Sequence, residues 1–365
     1  MLKIKQTGIR IAQATLVSAA VIAFTGSGVF AANFSPELQD LIKKAGAEGK
    51  LHVAWSQSTL DGAAGALKIE AGMNKMFGTN IRISFSPGRS MAAMSGKVRA
   101  EVAAGQPATS DSYLGSSPFV VPLIKRKVLV AFPYAKMLPG RITPAMVVGD
   151  GTAVRFATGF GGVTYNTNLA PYKPTKITDF LKPEWKGKIS STPYAASFDT
   201  LTAIGVWGPE KTEDYVRKLA KNIRGLIRCG EGERIATGEI IALVMDCHGR
   251  ESRVWAAKGA PIAQVLFPEA AIKRQFYLGV PKNSTNKNAA ALFAVFLLTK
   301  EGQKIVRETW LLDSDLFPES NAAKRTADLE KLGAKFAEGS VAFVIAHPEI
   351  NKLKKKLVKI LKSAK

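Results

Sequence analysis

Apolar and polar positions alternate in blocks along the first hundred residues. Phe34–Ala47 (FSPELQDLIKKAGA) has helical spacing, with Ser35 placed to cap it and Pro36 at its first position. LHVAWS at 51–56 is apolar throughout, as a buried parallel strand is. A helix over 62–78, a strand IRISFS at 81–86 and a helix over 91–105 follow. Asp111–Ser116 reads as the end of a third strand. Strand alternating with helix predicts an α/β fold with a parallel sheet. In such sheets ligands gather where strand ends feed helix starts. The loops Ser56–Thr59 and Gly88–Ser90 occupy such places. The stretch 118–150 carries five prolines and reads as irregular cover.

The chain is organised around residues 155–191. FATGFGGVTYN is an apolar, glycine-rich strand that stops at Thr167-Asn168, and Pro171 and Pro174 forbid a helix there. ITDFLKPEW is a short helical signal with Thr178 as its cap. It ends at Lys186-Gly187-Lys188, where the glycine suits a left-handed turn, and KISSTPYAAS begins a new strand.

This order of parts resembles the extracellular solute-binding proteins of ABC importers, in the type II two-lobe group with ferric-, thiamine-, polyamine- and phosphonate-binding members. The matching residues are Gly162, Tyr165–Asn168, Asp179–Leu181, Pro183 and Trp185–Lys188, with PKNSTNKNAAALFAVFLLTKEGQKIV at 281–306 resembling the family's helix after the return crossing. The resemblance implies a two-lobe fold, each lobe a mixed, mostly parallel sheet flanked by helices, joined by a two-strand hinge. It divides the chain into a first lobe at 32–157, a second at 158–276, and a return part with C-terminal helices at 277–365. The crossings fall near Thr158–Val163, where glycines supply backbone freedom, and near Lys273–Val280. The second lobe is expected to hold helices over 198–208, 210–222 and 251–259 and strands GLIRC and IIALVMDC.

Composition sharpens this picture. The chain has 365 residues, 46% of them hydrophobic, enough for about two domains. Lys3, Lys5 and Arg10, an apolar run from Ala14 to Phe24 and Val29-Phe30-Ala31 make residues 1–31 a cleavable signal peptide, the rival being a membrane anchor. The formal charge of +22 becomes +19 once the three basic residues of that segment are removed. A leader and the lack of any recognition helix or zinc-finger spacing argue against nucleic acid; an anionic solute, a membrane surface or a basic proteome background remain. The tail NKLKKKLVKILKSAK puts Leu353, Leu357, Ile360 and Leu361 on one helical face and lysines on the rest. It reads as a packed helix with a solvated face, or as a contact for an anionic membrane or importer. Cys229 and Cys247 end strand-like runs expected side by side, so a disulfide is favoured over two buried thiols.

No catalytic signature is present: no GxSxG, HExxH, Walker loop or CxxC pair occurs, and no cofactor is expected. Ferric members of the resembled family carry two adjacent tyrosines after a strand of the second lobe; Asp246-Cys247-His248-Gly249 stands there instead. That speaks against iron and leaves a different metal through Asp246 and His248 as an alternative. The candidate ligand contacts are Ser56, Ser58, Gly88, Arg89, Ser90, Tyr113, Tyr194, Ser197, Asp246, His248 and Arg250. Each has a plainer role open to it: Ser90 and Ser197 as helix caps, Tyr113 as core, Arg250 as a surface pair with Asp246 or Glu251. Arg89 beside free N–H groups points to an anion, a carboxylate or phosphonate. Asp111, Asp246 and Glu231 keep a polyamine or other cation open. The expectation is a monomeric periplasmic receptor that closes over a small polar solute and delivers it to importer permease subunits. An enzyme on the same fold is the rival.

Overall fold

The computed structural model describes residues 34–203 and 205–363; the expected signal peptide lies outside them. Helix α1 (Pro36–Glu48) starts as its sequence dictates: the Ser35 side chain accepts from the Leu38 N–H, and Gly49, at φ 65°, closes the helix in the left-handed region. Then follow β1 (Lys50–Trp55), α2 (Gly62–Phe77), β2 (Arg82–Pro87) and α3 (Met91–Ala103). Strands β1 and β2 run parallel, Trp55 opposite Pro87, so their carboxyl ends lie together. A parallel bridge from Val53 to Ser112 leads to β3 (Tyr113–Ser116).

The proline-rich stretch is more regular than expected. It opens with a helix, α4 (Ser117–Lys125), in which Pro118 takes the first turn, where no intrahelical N–H is needed. Short pieces follow: β4 (Leu129–Val130), α5 (Tyr134–Met137) and β5 (Val147–Val148).

Strands β6 (Ala153–Gly161) and β7 (Val163–Asn166) carry the chain into a second sheet. The glycines at this crossing serve differently from expectation. None of Gly159, Gly161 and Gly162 has a positive φ. They are small because the second lobe presses on them: a Cβ at Gly159 would lie 2.5 Å from the His248 Cβ, and one at Gly162 2.5 Å from the Val265 carbonyl oxygen. The segment 177–185 forms two tight 3-10 turns, and Thr178 does not cap them. The Asp179 carboxylate reaches back to the Thr175 and Lys176 N–H groups, at 2.9 and 3.0 Å, and takes that role. Gly187 does take the left-handed turn, at φ 73°.

The second lobe continues through β8 (Ile189–Ser191), α6 (Phe198–Leu201), α7 (Gly208–Ala220), β9 (Ile223–Leu226), α8 (Glu233–Ala236), β10 (Ala242–Val244), α9 (Arg250–Ala256) and β11 (Ile262–Val265). Helix α6 is a single turn, far shorter than the apolar run 198–208 suggested. The sheet order is β11-β7-β10-β8-β9. Strand β12 (Ile272–Pro281) returns the chain antiparallel to β6 and β3. The two crossing strands thus pair antiparallel with each other.

The segment after the return is two helices, not one. Helix α10 (Lys287–Leu298), buried on all sides from Ala289 on, stops at Thr299, whose hydroxyl accepts the Gly302 N–H and starts α11 (Lys300–Trp310). Then come α12 (Asn321–Lys331), β13 (Ala337–Gly339), which pairs with β12, α13 (Val341–Ala346) and α14 (Ile350–Lys362). Two large cores result. One gathers α1, α2, α10 and α11; the other gathers β7, β10 and α7. The lysine-rich α14 buries Leu357, Ile360 and Leu361 in the second core, where Lys354 reaches Asp199 at 2.6 Å. No described helix is long and apolar enough to cross a membrane.

At the hinge, Asp315 holds both crossing strands. Its carboxylate pairs with Arg155 and accepts from the Thr158 hydroxyl (2.7 Å) of β6, and pairs with Lys273 of β12 at 3.1 Å. All three charged side chains are buried.

Candidate functional site

On the first lobe, the ends of β1 and β2 present Ser56, Ser58, Gly88, Arg89 and Ser90. The Ser56 and Thr59 hydroxyls bond each other at 2.8 Å, and Ser58 is exposed. The Gly88 N–H donates to the Trp55 carbonyl at 2.7 Å, and a Cβ there would sit 3.0 Å from the Trp55 nitrogen. Ser90 caps α3 through the Ala93 N–H, the plainer of its two roles. Arg89 is exposed, and among the described residues it has no ion-pair partner. Tyr113 does not reach the cleft. It is 2% exposed, packs among Met94, Val98 and Val120, and donates its hydroxyl to the Met91 carbonyl.

On the second lobe, three loops are sewn together. Cys229 and Cys247 form a disulfide with Cα atoms 5.9 Å apart. Their strands are not neighbours as expected, because β8 lies between β9 and β10. The bridge spans the end of β8, and the loop after β8 joins it: the Tyr194 hydroxyl accepts the Cys229 N–H at 3.0 Å and lies 3.7 Å from the Cys247 sulfur. Ser197 is fully buried at φ 65°. It makes no side-chain cap; its hydroxyl donates to the Asp246 carbonyl at 3.3 Å.

Asp246 is buried beneath this wall rather than displayed on it. Its carboxylate accepts from the Gly162 N–H (3.2 Å), the Thr164 hydroxyl (2.5 Å) and the Gln264 amide (3.0 Å). Burial pushes it up to about 6, against the pull of those donors and Arg253. His248 packs edge-on against Phe276 and Trp310 of the first lobe, and its Nδ1 accepts the Arg250 N–H at 3.3 Å. Burial, then Arg253, Arg274 and Arg250, lower it to about 3, so it stays neutral. The Asp246 carboxylate is not left free for a metal, and among the described residues no three His, Cys, Asp or Glu side chains converge. Arg250 pairs with Glu251 at 2.7 Å, the plainer of its two roles, and not with Asp246.

A family profile described as bacterial extracellular solute-binding protein matches residues 71–338, most of the chain and both lobes. The chain belongs to this family.

Solved structures agree on the fold. A substrate-binding protein of an ABC transporter from Agrobacterium tumefaciens superposes with TM-score 0.67 at 16% identity, over 87% of this solute-binding protein and 97% of the other chain. AfuA from Actinobacillus pleuropneumoniae, bound to fructose-6-phosphate, gives 0.64 at 18%, over 87% and 100%. Iron-bound HitA from Pseudomonas aeruginosa gives 0.64 at 17%, over 84% and 99%. No curated protein matches the chain in sequence.

Three arginines of this solute-binding protein stand where its candidate residues meet the hinge and were not foreseen. Arg253 lies one turn beyond Arg250 on α9 and donates to the His248 carbonyl at 3.4 Å. Arg274 of β12 pairs in register with Gly159, the glycine under His248. It also lines a small crevice of about 30 Å³ with Ser116, Asp199 and Phe343. Arg325 of α12 approaches the Phe160 ring. Signals existed for two of them, the i,i+3 spacing of Arg253 from Arg250 and the place of Arg274 within the return crossing; none pointed to Arg325. Tyr194, Ser197, Asp246, His248 and Arg250 are thus brought together around the disulfide. The first-lobe set is gathered separately, and among the described residues no hydrogen bond or ion pair joins the two sets.

Proposed function

We propose that this protein is the periplasmic receptor of an ABC importer and that it captures a small anionic organic solute between its lobes. Export through the cleaved leader places it outside the cytoplasmic membrane, and the solute-loaded form is offered to permease subunits. One observation carries the choice of an anion. The carboxylates that a cationic ligand would need are already engaged. Asp111 accepts from the His52 N–H, Ser284 and Asn286; Asp246 is held as described; Glu231 accepts from the Arg228 N–H. Around His248, Arg250 pairs with Glu251, whereas Arg253 and Arg274 have no ion-pair partner among the described residues. Burying a solute's charge in a cleft is favourable only where protein charge and donors replace its water. The fixed lobe-two wall and the exposed Arg89 loop are the two faces such a solute would meet on closure.

A receptor returns its ligand unchanged. The mature protein is to be incubated with a panel of organic anions, cations and neutral metabolites, followed by thermal unfolding and mass analysis of the solution. A specific rise in melting temperature with one anionic compound, recovered intact, is expected. Conversion of that compound to a product would overturn the receptor reading in favour of an enzyme.

A further inference from the structure

We infer that the arginines at the hinge form a receptor site for a doubly charged tetrahedral oxyanion, the head group of a phosphate monoester or phosphonate. The inference rests on the anion-receptor reading above and narrows it.

Two independent observations lead to it. The first is unmet donors. The Nε atoms of Arg250 and Arg253 and the Nη1 atom of Arg274 are buried without a hydrogen-bond partner among the described residues. A buried N–H left unpaired costs free energy, more so on a charged group. The three side chains, from α9 and β12, all lie near His248, and their orphan donors call for an acceptor that completes them. A planar carboxylate offers two oxygens; a phosphate-type head offers three, disposed toward different sides.

The second is charge. Arg250, Arg253, Arg274 and Arg325 face the Asp246–His248 segment. Glu251 answers Arg250. Asp313 is occupied by Arg307 and by the first N–H groups of α12. Asp199 is held by Lys354. Asp199 also faces Arg274 and Asp313 also faces Arg253, so six cations (Arg250, Arg253, Arg274, Arg325, Arg307 and Lys354) meet four carboxylates (Glu251, Asp313, Asp199 and Asp246). The surplus is about two positive charges, which a dianion neutralises and a monocarboxylate does not.

The test uses inorganic phosphate, sulfate and acetate at equal ionic strength, read by calorimetric titration and thermal shift of the full mature protein. At pH 7.5 phosphate and sulfate are expected to bind and to raise the melting temperature, with acetate at least tenfold weaker. At pH 5.5 phosphate becomes a monoanion and its affinity drops, whereas sulfate keeps its affinity. That contrast separates titration of the ligand from titration of Asp246. Arg274→Gln is expected to weaken sulfate more than tenfold. Arg253→Gln is the second variant, with the same expectation, should the first unfold. Acetate binding as well as sulfate, or sulfate affinity unchanged in both variants, would overturn the inference. If neither dianion binds but the metabolite panel yields an intact ligand of another class, this inference falls and the receptor reading stands.

Discussion

The Asp315 cluster gives the sharpest energetic test of the hinge. Asp315→Ala would leave Arg155 without its ion partner, and Lys273 with only Glu338, 3.3 Å away and half exposed. Arg155, Asp315 and Lys273 are each below a tenth exposed in their side chains. Removing one member of a buried ion cluster typically costs about 3–5 kcal/mol, because the remaining charge has lost its water and gained nothing. Asp315→Asn, which keeps an acceptor for Thr158 and Arg155, should cost less. Adding Lys273→Met to Asp315→Ala removes one stranded cation, so the double variant should lose less than the sum of the two single changes. Urea unfolding followed by circular dichroism at pH 7 measures each. Arg155, Thr158 and Lys273 also hold the Asp315 carboxyl below the usual carboxylate range. A depressed carboxyl contributes stability that is present above its unfolded value, near 4. That contribution is lost as pH falls through its lower folded value, so the gap between wild type and Asp315→Asn should close in acid. A loss below about 1 kcal/mol for Asp315→Ala, or strict additivity in the double variant, would refute the reasoning.

Two further predictions concern the second lobe. Cys229 and Cys247 are 18 residues apart, so replacing both with serine should remove about 3 kcal/mol by the chain-entropy estimate and free the Tyr194 loop. Chemical unfolding and hydrogen exchange at Ala195–Ser197 check this, and unchanged exchange there would contradict the stapling role. Asp246 has the opposite sign from Asp315: its carboxyl is raised to about 6. Its contribution is full below the unfolded value near 4 and declines as pH rises through about 6, by up to about 3 kcal/mol. Asp246→Asn should flatten the wild-type fall in unfolding free energy between pH 4 and 7; an identical slope in both proteins would count against the burial argument.

Much of the fold was legible because it is written in local chemistry. Ser35-Pro36 and Gly49 bracket α1, and the apolar LHVAWS run can only be a buried strand. The linear order from β6 to β8 carried the family resemblance. What failed was long-range. Gly159–Gly162 were read as flexible, but they are small because His248 and Val265 approach them, and nothing adjacent in sequence says so. Tyr113 reads as part of a strand end facing the cleft, yet it opens β3 and its ring turns into the core against Met94. Asp246 stands at a strand end like a ligand contact, yet Gly162, Thr164 and Gln264, distant in sequence, draw it inside. The disulfide was foreseen for a wrong reason: β8 separates the two strands, and the loops rather than the strands meet. Arg253, Arg274 and Arg325 come from three separate stretches, so their meeting is a property of the fold alone.

The central claim is that two lobes, joined by β6–β7 and β12, close over an anionic solute. Small-angle X-ray scattering of the mature protein, with and without the compound that the panel identifies, tests it most directly. The account predicts a smaller radius of gyration on binding, with the same change absent in Arg274→Gln at the same concentration. An unchanged scattering profile for a demonstrably bound protein would contradict it.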